Sequence, residues 1–280
     1  MRKTFLIFAA CFMAIVASAQ ILETVSMQQI TFPDGKDGKI VGISPKGNFL
    51  LLTNLDEKGL ISYDLTTKTT TTISEEGGTG WDVKISKDAS KITYRKRNWE
   101  GDARIVKFDI MQYNINDRKA TMCAKAQSGT EKLVDATANV TASISTDLEL
   151  VLTRNGKRIV LNPNNTDKAY SWASISPDGS KILYYVATQG CYVCDLDGQN
   201  AQFVARNCRA AQWYDNNIII GMADEDDGHK FTASAIVAYT LDGKSQVLVN
   251  KEMVAMYPYV APGKVAFTTD AGKMYLMTVK

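Results

Sequence analysis

Short apolar runs separated by polar turns recur along the whole chain. Residues 174–186 carry the clearest one: Ile175 closes one run, Ser176-Pro177-Asp178-Gly179 interrupts it, and Ile182, Leu183, Tyr184 and Val186 form the next. Proline presets φ for the first central turn position, aspartate folds back onto nearby backbone amides, and glycine accepts positive φ. The pattern predicts two strands joined by a hairpin.

The same unit returns in eroded form. Ile43-Ser44-Pro45-Lys46-Gly47 precedes Phe49, Ile85-Ser86-Lys87-Asp88 precedes Ile92, and Ile144-Ser145-Thr146-Asp147 precedes Leu150. Two copies lack the serine: Trp213-Tyr214-Asp215 precedes Ile218, and Val260-Ala261-Pro262-Gly263 precedes Val265. The equivalent positions are 44, 86, 145, 176, 214 and 261. Beyond the hairpin, units continue through a third run, a turn such as Asp197-Gly198 or Asp242-Gly243, and a fourth run. Asp-Gly between alternating strands is a strong hairpin signal because a type I′ turn needs positive φ at both central residues. Four short strands per unit describe a propeller blade.

The ends fit this reading. The last unit has three runs and then the chain stops, while residues 22–32 form a strand-like stretch ahead of the first full unit. That stretch is expected to supply the outer strand of the last blade and close the ring. The fold predicted is all-β, a six-bladed β-propeller of four-stranded antiparallel blades closed by an N-terminal strand.

The Ile-Ser-Pro-Asp-Gly-Ser-Lys-Ile turn, with the Tyr-Val-Cys-Asp-Leu-Asp-Gly strand and turn after it, resembles the TolB-type propeller repeat. That repeat is also found in the propeller half of prolyl oligopeptidase-like proteins. Residues 171–205 match best. The resemblance implies a six-bladed propeller in the cell envelope and no catalytic residue within the repeat. The Asp-box of sialidase propellers is a rival for the turn, but Ile182 and Leu183 stand where that box has its tryptophan.

Composition narrows the partners. The chain is 45% apolar and 22% charged with net charge +2, neither the basic footprint of a nucleic-acid binder nor a disordered composition. Arg2 and Lys3, apolar residues 5–16 and Ala17-Ser18-Ala19 follow the order of a cleavable export signal. We therefore expect a signal peptide over 1–19, a single propeller domain over 20–280, and a periplasmic or secreted product without a transmembrane segment. The apolar stretch falls short of the roughly 20 residues that a spanning helix needs. A lipid anchor at Cys11 is disfavoured because the residues after it stay apolar.

Four cysteines remain past the leader, and their pairing stays open among three combinations. The odd spacing of Cys191 and Cys194 points them to opposite faces of one strand. No cofactor or metal is expected. His229, the single histidine, lies in the polar run 224–230, whose Asp224, Asp226 and Gly228 have a calcium-loop rhythm without the bidentate glutamate that completes one.

Candidate binding residues follow from propeller geometry. Loops entering the innermost strands hold Trp81, Asp82, Tyr170, Trp172, Arg209, Gln212 and Tyr257, and Asn139 sits at the equivalent place in the third unit. The longest loop between second and third strands is expected at residues 95–104, where Arg95, Lys96, Arg97 and Arg104 surround Trp99. Aromatic residues and arginine are the types enriched at interface hot spots. The expected function is a non-enzymatic, monomeric scaffold that binds a protein, peptide or glycan. The alternative is a carbohydrate hydrolase or lyase, which requires carboxylates converging on the central opening.

Overall fold

The computed structural model describes residues 20–32, 34–100, 106–129, 133–135 and 138–280. The expected leader lies outside them. Six antiparallel sheets follow one another around a ring. Strand β1 (Thr24–Ile30) comes first. Blade 1 is β2 (Lys39–Ile43), β3 (Phe49–Thr53), β4 (Leu60–Asp64) and β5 (Thr70–Ser74). Blade 2 is β6 (Lys84–Ile85), β7 (Lys91–Asn98), β8 (Lys107–Asn114) and β9 (Lys119–Ser128). Blade 3 is β10 (Val140–Ile144), β11 (Leu150–Arg154) and β12 (Lys157–Leu161). Blade 4 is β13 (Tyr170–Ile175), β14 (Lys181–Val186), β15 (Gly190–Asp195) and β16 (Gln202–Ala205). Blade 5 is β17 (Arg209–Trp213), β18 (Ile218–Asp226), β19 (Phe231–Thr240) and β20 (Ser245–Val249). Blade 6 is β21 (Ala255–Ala261), β22 (Lys264–Thr269) and β23 (Met274–Val279), with β1 paired to β23 as its outer strand.

The ring therefore closes as expected. Glu23 and Lys280 exchange backbone hydrogen bonds at 2.8 and 3.0 Å. The Gln246 side chain clasps the start of β1, accepting from the Ile21 and Leu22 amides at 2.6 and 3.0 Å and donating to the Leu22 carbonyl at 2.7 Å.

Blade 3 departs from the expectation of four strands. Residues 162–169 form turns and bends instead of a fourth strand. Asn162-Pro163-Asn164-Asn165 is a turn sequence, and its asparagines are tied down: Tyr170 Oη donates to Asn162 Oδ1 at 2.7 Å and Tyr184 Oη to Asn164 Oδ1 at 2.7 Å.

Both faces of each blade meet a neighbour, which explains why the strands read as continuous apolar runs. Leu50 and Leu52 pack between blades 6 and 1, while Leu51, between them in sequence, packs between blades 1 and 2. Full burial of each such side chain stabilises by about 1.5–3 kcal/mol. Cys191 and Cys194 likewise enter two different inter-blade cores, as their spacing predicts. All four described cysteines are free, with Cys123 exposed and the others buried. Burial pushes the Cys194 thiol up to about 12.

The seam between blades 2 and 3 differs from the others. Among the described residues no buried apolar cluster spans it. The segment that leads from blade 2 to blade 3 is tied to blade 2 by polar contacts, including the Lys87 amide to Asp135 Oδ2 at 3.0 Å.

The repeated serines are parts of the scaffold. Ser176 Oγ accepts from the Ser180 and Lys181 amides at 3.1 and 2.9 Å and donates to Asp178 Oδ1 at 2.6 Å. Ser86 makes the same contacts with Asp88 and the Lys91 amide, and Ser44 accepts from the amides of Asn48 and Phe49. The hydrogen bond from Ser86 leads the effects that hold the Asp88 carboxyl down at about 2.

Candidate functional site

The inner strands do not run regularly toward the central opening. Register shifts interrupt the pairing at Ile40/Gly42 in blade 1, Ser171/Ala173 in blade 4, Arg209/Gln212 in blade 5 and Met256/Tyr259 in blade 6. Asp82, Trp172, Ala210 and Tyr257 take left-handed backbone conformations at φ of 51°, 46°, 51° and 50°. A bulge re-aims the side chain it carries. Positive φ on a bulky residue is an outlier that costs about 1–3 kcal/mol and clusters at functional sites.

These irregularities face one cavity of about 550 Å³, lined by residues from the inner strands of all six blades. Trp172 and Tyr257 project into it and remain 39% and 44% exposed. Tyr185 meets Trp172 edge to face at 5.7 Å, and Tyr259 adds a further aromatic wall. The opening is thus an aromatic funnel whose shape comes from strained backbone.

Glu57 and Asp82 on the wall each meet basic side chains, and Asp270 is a third, exposed carboxylate there. Lys39 Nζ lies 3.0 Å from Glu57 Oε1. Asp82 Oδ2 accepts from Arg95 Nη1 at 2.6 Å and from the Leu133 amide at 2.6 Å, and Lys84 Nζ stands 3.5 Å from Asp82 Oδ1. The Arg95 guanidinium also covers the Trp81 ring at 4.6 Å, and Phe108 packs on the same ring at 5.4 Å. Gly129 permits this packing, since a Cβ there would come within 2.9 Å of Trp81.

Of the residues expected at the site, Trp81, Asp82, Trp172, Gln212 and Tyr257 line the cavity. Tyr170 does not join them: it is buried in the core between blades 3 and 4. Arg209 lies off the cavity wall, 3.3 Å from Asp224 and 5.6 Å from the Phe231 ring. Trp99 is 74% exposed beside Arg97, which lies 5.1 Å away. Arg104 lies outside the described residues.

Two placements correct the sequence reading. Residues 95–98 belong to β7, so Arg95 is a buried strand residue and not part of an exposed loop. The segment looked like a loop because the apolar alternation of Ile92 and Tyr94 gives way to the wholly polar Arg95-Lys96-Arg97-Asn98. Asp224 lies within β18 and is buried against Arg209, so the calcium rhythm of residues 224–228 does not form one loop. Burial raises the Asp224 carboxyl, and the Arg209 charge offsets part of that rise. Among the described residues no group of three or more His, Cys, Asp or Glu side chains gathers to hold a metal.

Lys39, Glu57, Lys84 and Tyr185 were missed, and Arg95 was named but placed in a loop. Lys39 and Lys84 open inner strands and had a positional signal. Tyr185 had none, because its exposure depends on a neighbouring bulge, and the burial of Arg95 depends on a carboxylate elsewhere in the blade.

The fold is that of six-bladed β-propellers. The β-propeller domain of the Trilobed protease from Pyrococcus furiosus is similar at 13% identity and TM-score 0.57, covering 88% of this chain and 97% of that one. A putative TolB from Agrobacterium tumefaciens is similar at 14% identity and TM-score 0.52, over 87% and 89% of the two chains. An oligogalacturonate lyase in complex with manganese is similar at 15% identity and TM-score 0.50, over 85% and 76%. No family model matches the sequence, and no curated protein matches it significantly. Identities this low establish the fold alone. Among the described residues no helix is long and apolar enough to cross a membrane.

Proposed function

We propose that this chain is an exported, TolB-type propeller of the cell envelope that binds a peptide or glycan in the central funnel without transforming it. One observation carries the reading: the aromatic side chains Trp172 and Tyr257 stand open to the cavity, whereas of the three carboxylates on its wall among the described residues Glu57 and Asp82 are each engaged by a cation, which leaves Asp270 without a second free carboxylate to work with. Exposed aromatics at the centre of a concave surface are the material of binding hot spots. A carboxylate pair for glycoside hydrolysis needs one free base and one raised acid facing each other across the bond to be cleaved. The wall carries both signs, with Lys39 beside Glu57, Lys84 and Arg95 sharing Asp82, and Asp270 adding a further negative charge, which favours an uncharged ligand surface over a polyanion.

The test is binding of the mature chain to glycan and peptide arrays. Wild type and Trp99→Ala should give the same specific signals, and Trp172→Ala/Tyr257→Ala should lose them. Unchanged signals in the double variant would remove the funnel from consideration, and turnover of a bound oligosaccharide would replace binding with the hydrolase or lyase reading. Export has its own test in mass spectrometry of the mature amino terminus, expected at Gln20.

A further inference from the structure

The missing strand of blade 3 leaves an edge unlike that of any other blade. Sheets 1, 2, 4, 5 and 6 have four strands, and blade 3 stops at β12. Strands β11 and β12 join through Asn155-Gly156, both at positive φ (51° and 74°), the two-residue hairpin turn. In such a hairpin the flanking pair Arg154↔Lys157 is hydrogen-bonded, and hydrogen-bonded pairs then alternate along the ladder. The N–H and C=O of Arg158 and Val160 therefore point away from β11 to the open side. Ile159 and Val160 are 38% and 55% exposed, one on each face of the strand, where residues of a fourth strand would flank them.

The charge on this edge is strongly positive. Residues 154–168 carry the cations Arg154, Lys157, Arg158 and Lys168 against the single carboxylate Asp167. Among the described residues none of these four cations has an ion-pair partner, in contrast to Lys39 and Lys84 at the funnel. The outer strands β1, β5, β16 and β20 carry no charged residue, and β9 carries Lys119 and Lys125, the latter paired with Glu100. Lysine and arginine on an edge repel uncontrolled pairing with like strands. The same charges admit one kind of strand, an acidic one.

We propose that β12 is a docking edge for an extended, acidic segment of a partner protein, which adds as the fourth strand of blade 3. Main-chain bonds to Arg158 and Val160 supply the register; the partner's alternate apolar residues cover Val160 while its carboxylates meet Lys157 on the other face, or cover Ile159 while its carboxylates meet Arg158. This is strand addition at an open sheet edge. It stands apart from the funnel.

The experiment uses a dye-labelled, end-capped peptide alternating glutamate and valine, with binding read by fluorescence anisotropy on the intact mature chain. Saturable binding that weakens with salt is expected, and a peptide alternating lysine and valine should bind at least about tenfold more weakly. Val160→Pro removes one outward N–H without touching the β11 ladder and should weaken the acidic peptide by about tenfold while the melting temperature stays near wild type. Lys157→Glu/Arg158→Glu should reverse the preference between the two peptides, and Trp172→Ala/Tyr257→Ala should bind the acidic peptide as wild type does. Equal affinity for both peptides, or an unaffected Val160→Pro variant, overturns the proposal. A peptide-free dimer that Val160→Pro dissociates would assign the edge to a second copy of this chain and overturn it as well.

Discussion

Arg95 Nη1 donates to Asp82 Oδ2 at 2.6 Å, with both side chains almost wholly buried. The pair links β7 to the loop that enters blade 2's inner strand, and the same Asp82 carboxylate accepts from the Leu133 amide in the segment leading to blade 3. Removing one partner strands a buried charge, a loss of about 3–5 kcal/mol. Arg95→Ala should therefore lower unfolding stability by that order in a denaturant titration, and Asp82→Asn/Arg95→Met should recover much of it. A loss below about 1 kcal/mol for Arg95→Ala would mean that solvent reaches the pair.

Trp172 holds a strained backbone and an exposed ring at the same position. Trp172→Gly relieves the left-handed conformation and gives up the edge contact with Tyr185, two terms of similar size at about 1–3 and about 0.5–1.5 kcal/mol. The melting temperature is expected to stay level or rise while array binding falls. A collapse in stability would show that the ring is scaffolding.

The Asp224 carboxyl sits above its ordinary range because it is buried. The folded state therefore holds this proton more tightly than the unfolded chain does. That contribution to stability is full below the unfolded value of about 3.9 and is lost as pH rises through the folded value. Asp224→Asn should gain on wild type near neutrality, with the gain shrinking on acidification below the folded value. Paired urea titrations across that range measure it, and a gain independent of pH would contradict the assignment.

Asp88 moves the other way. Ser86→Ala should release its carboxyl from about 2 toward the ordinary 3.8, seen in a carboxyl-carbon NMR titration. The stabilisation from this turn is present above the unfolded value and disappears as pH falls through the folded one. An unmoved Asp88 would place the cause elsewhere in the turn.

Gln246 makes three hydrogen bonds to residues 21–22 at the start of the closing strand. Gln246→Ala should cost about 1–3 kcal/mol and accelerate amide exchange across Thr24–Ile30 before it does so in blade 3. Uniform exchange throughout the ring would show that β1 does not open independently.

The blades were legible in the sequence because hairpin chemistry is local. Ser176-Pro177-Asp178-Gly179 and Asp197-Gly198 specify their turns within a few residues, and six such units with a three-run final unit determined the number of blades and the closure by β1. The spacing of Cys191 and Cys194 determined their opposite faces in the same way. Blade 3's truncation had a local trace in Asn162-Pro163-Asn164-Asn165, a turn where a fourth strand was expected. The site was less legible. Only the tertiary structure decided that Arg95 lies buried on Asp82, that Tyr170 belongs to a core, and that Trp172 and Tyr257 turn into the opening. A turn is chosen by the residues it contains, whereas burial of a charge and the tolerance of a strained bulge are chosen by what the rest of the ring packs against them.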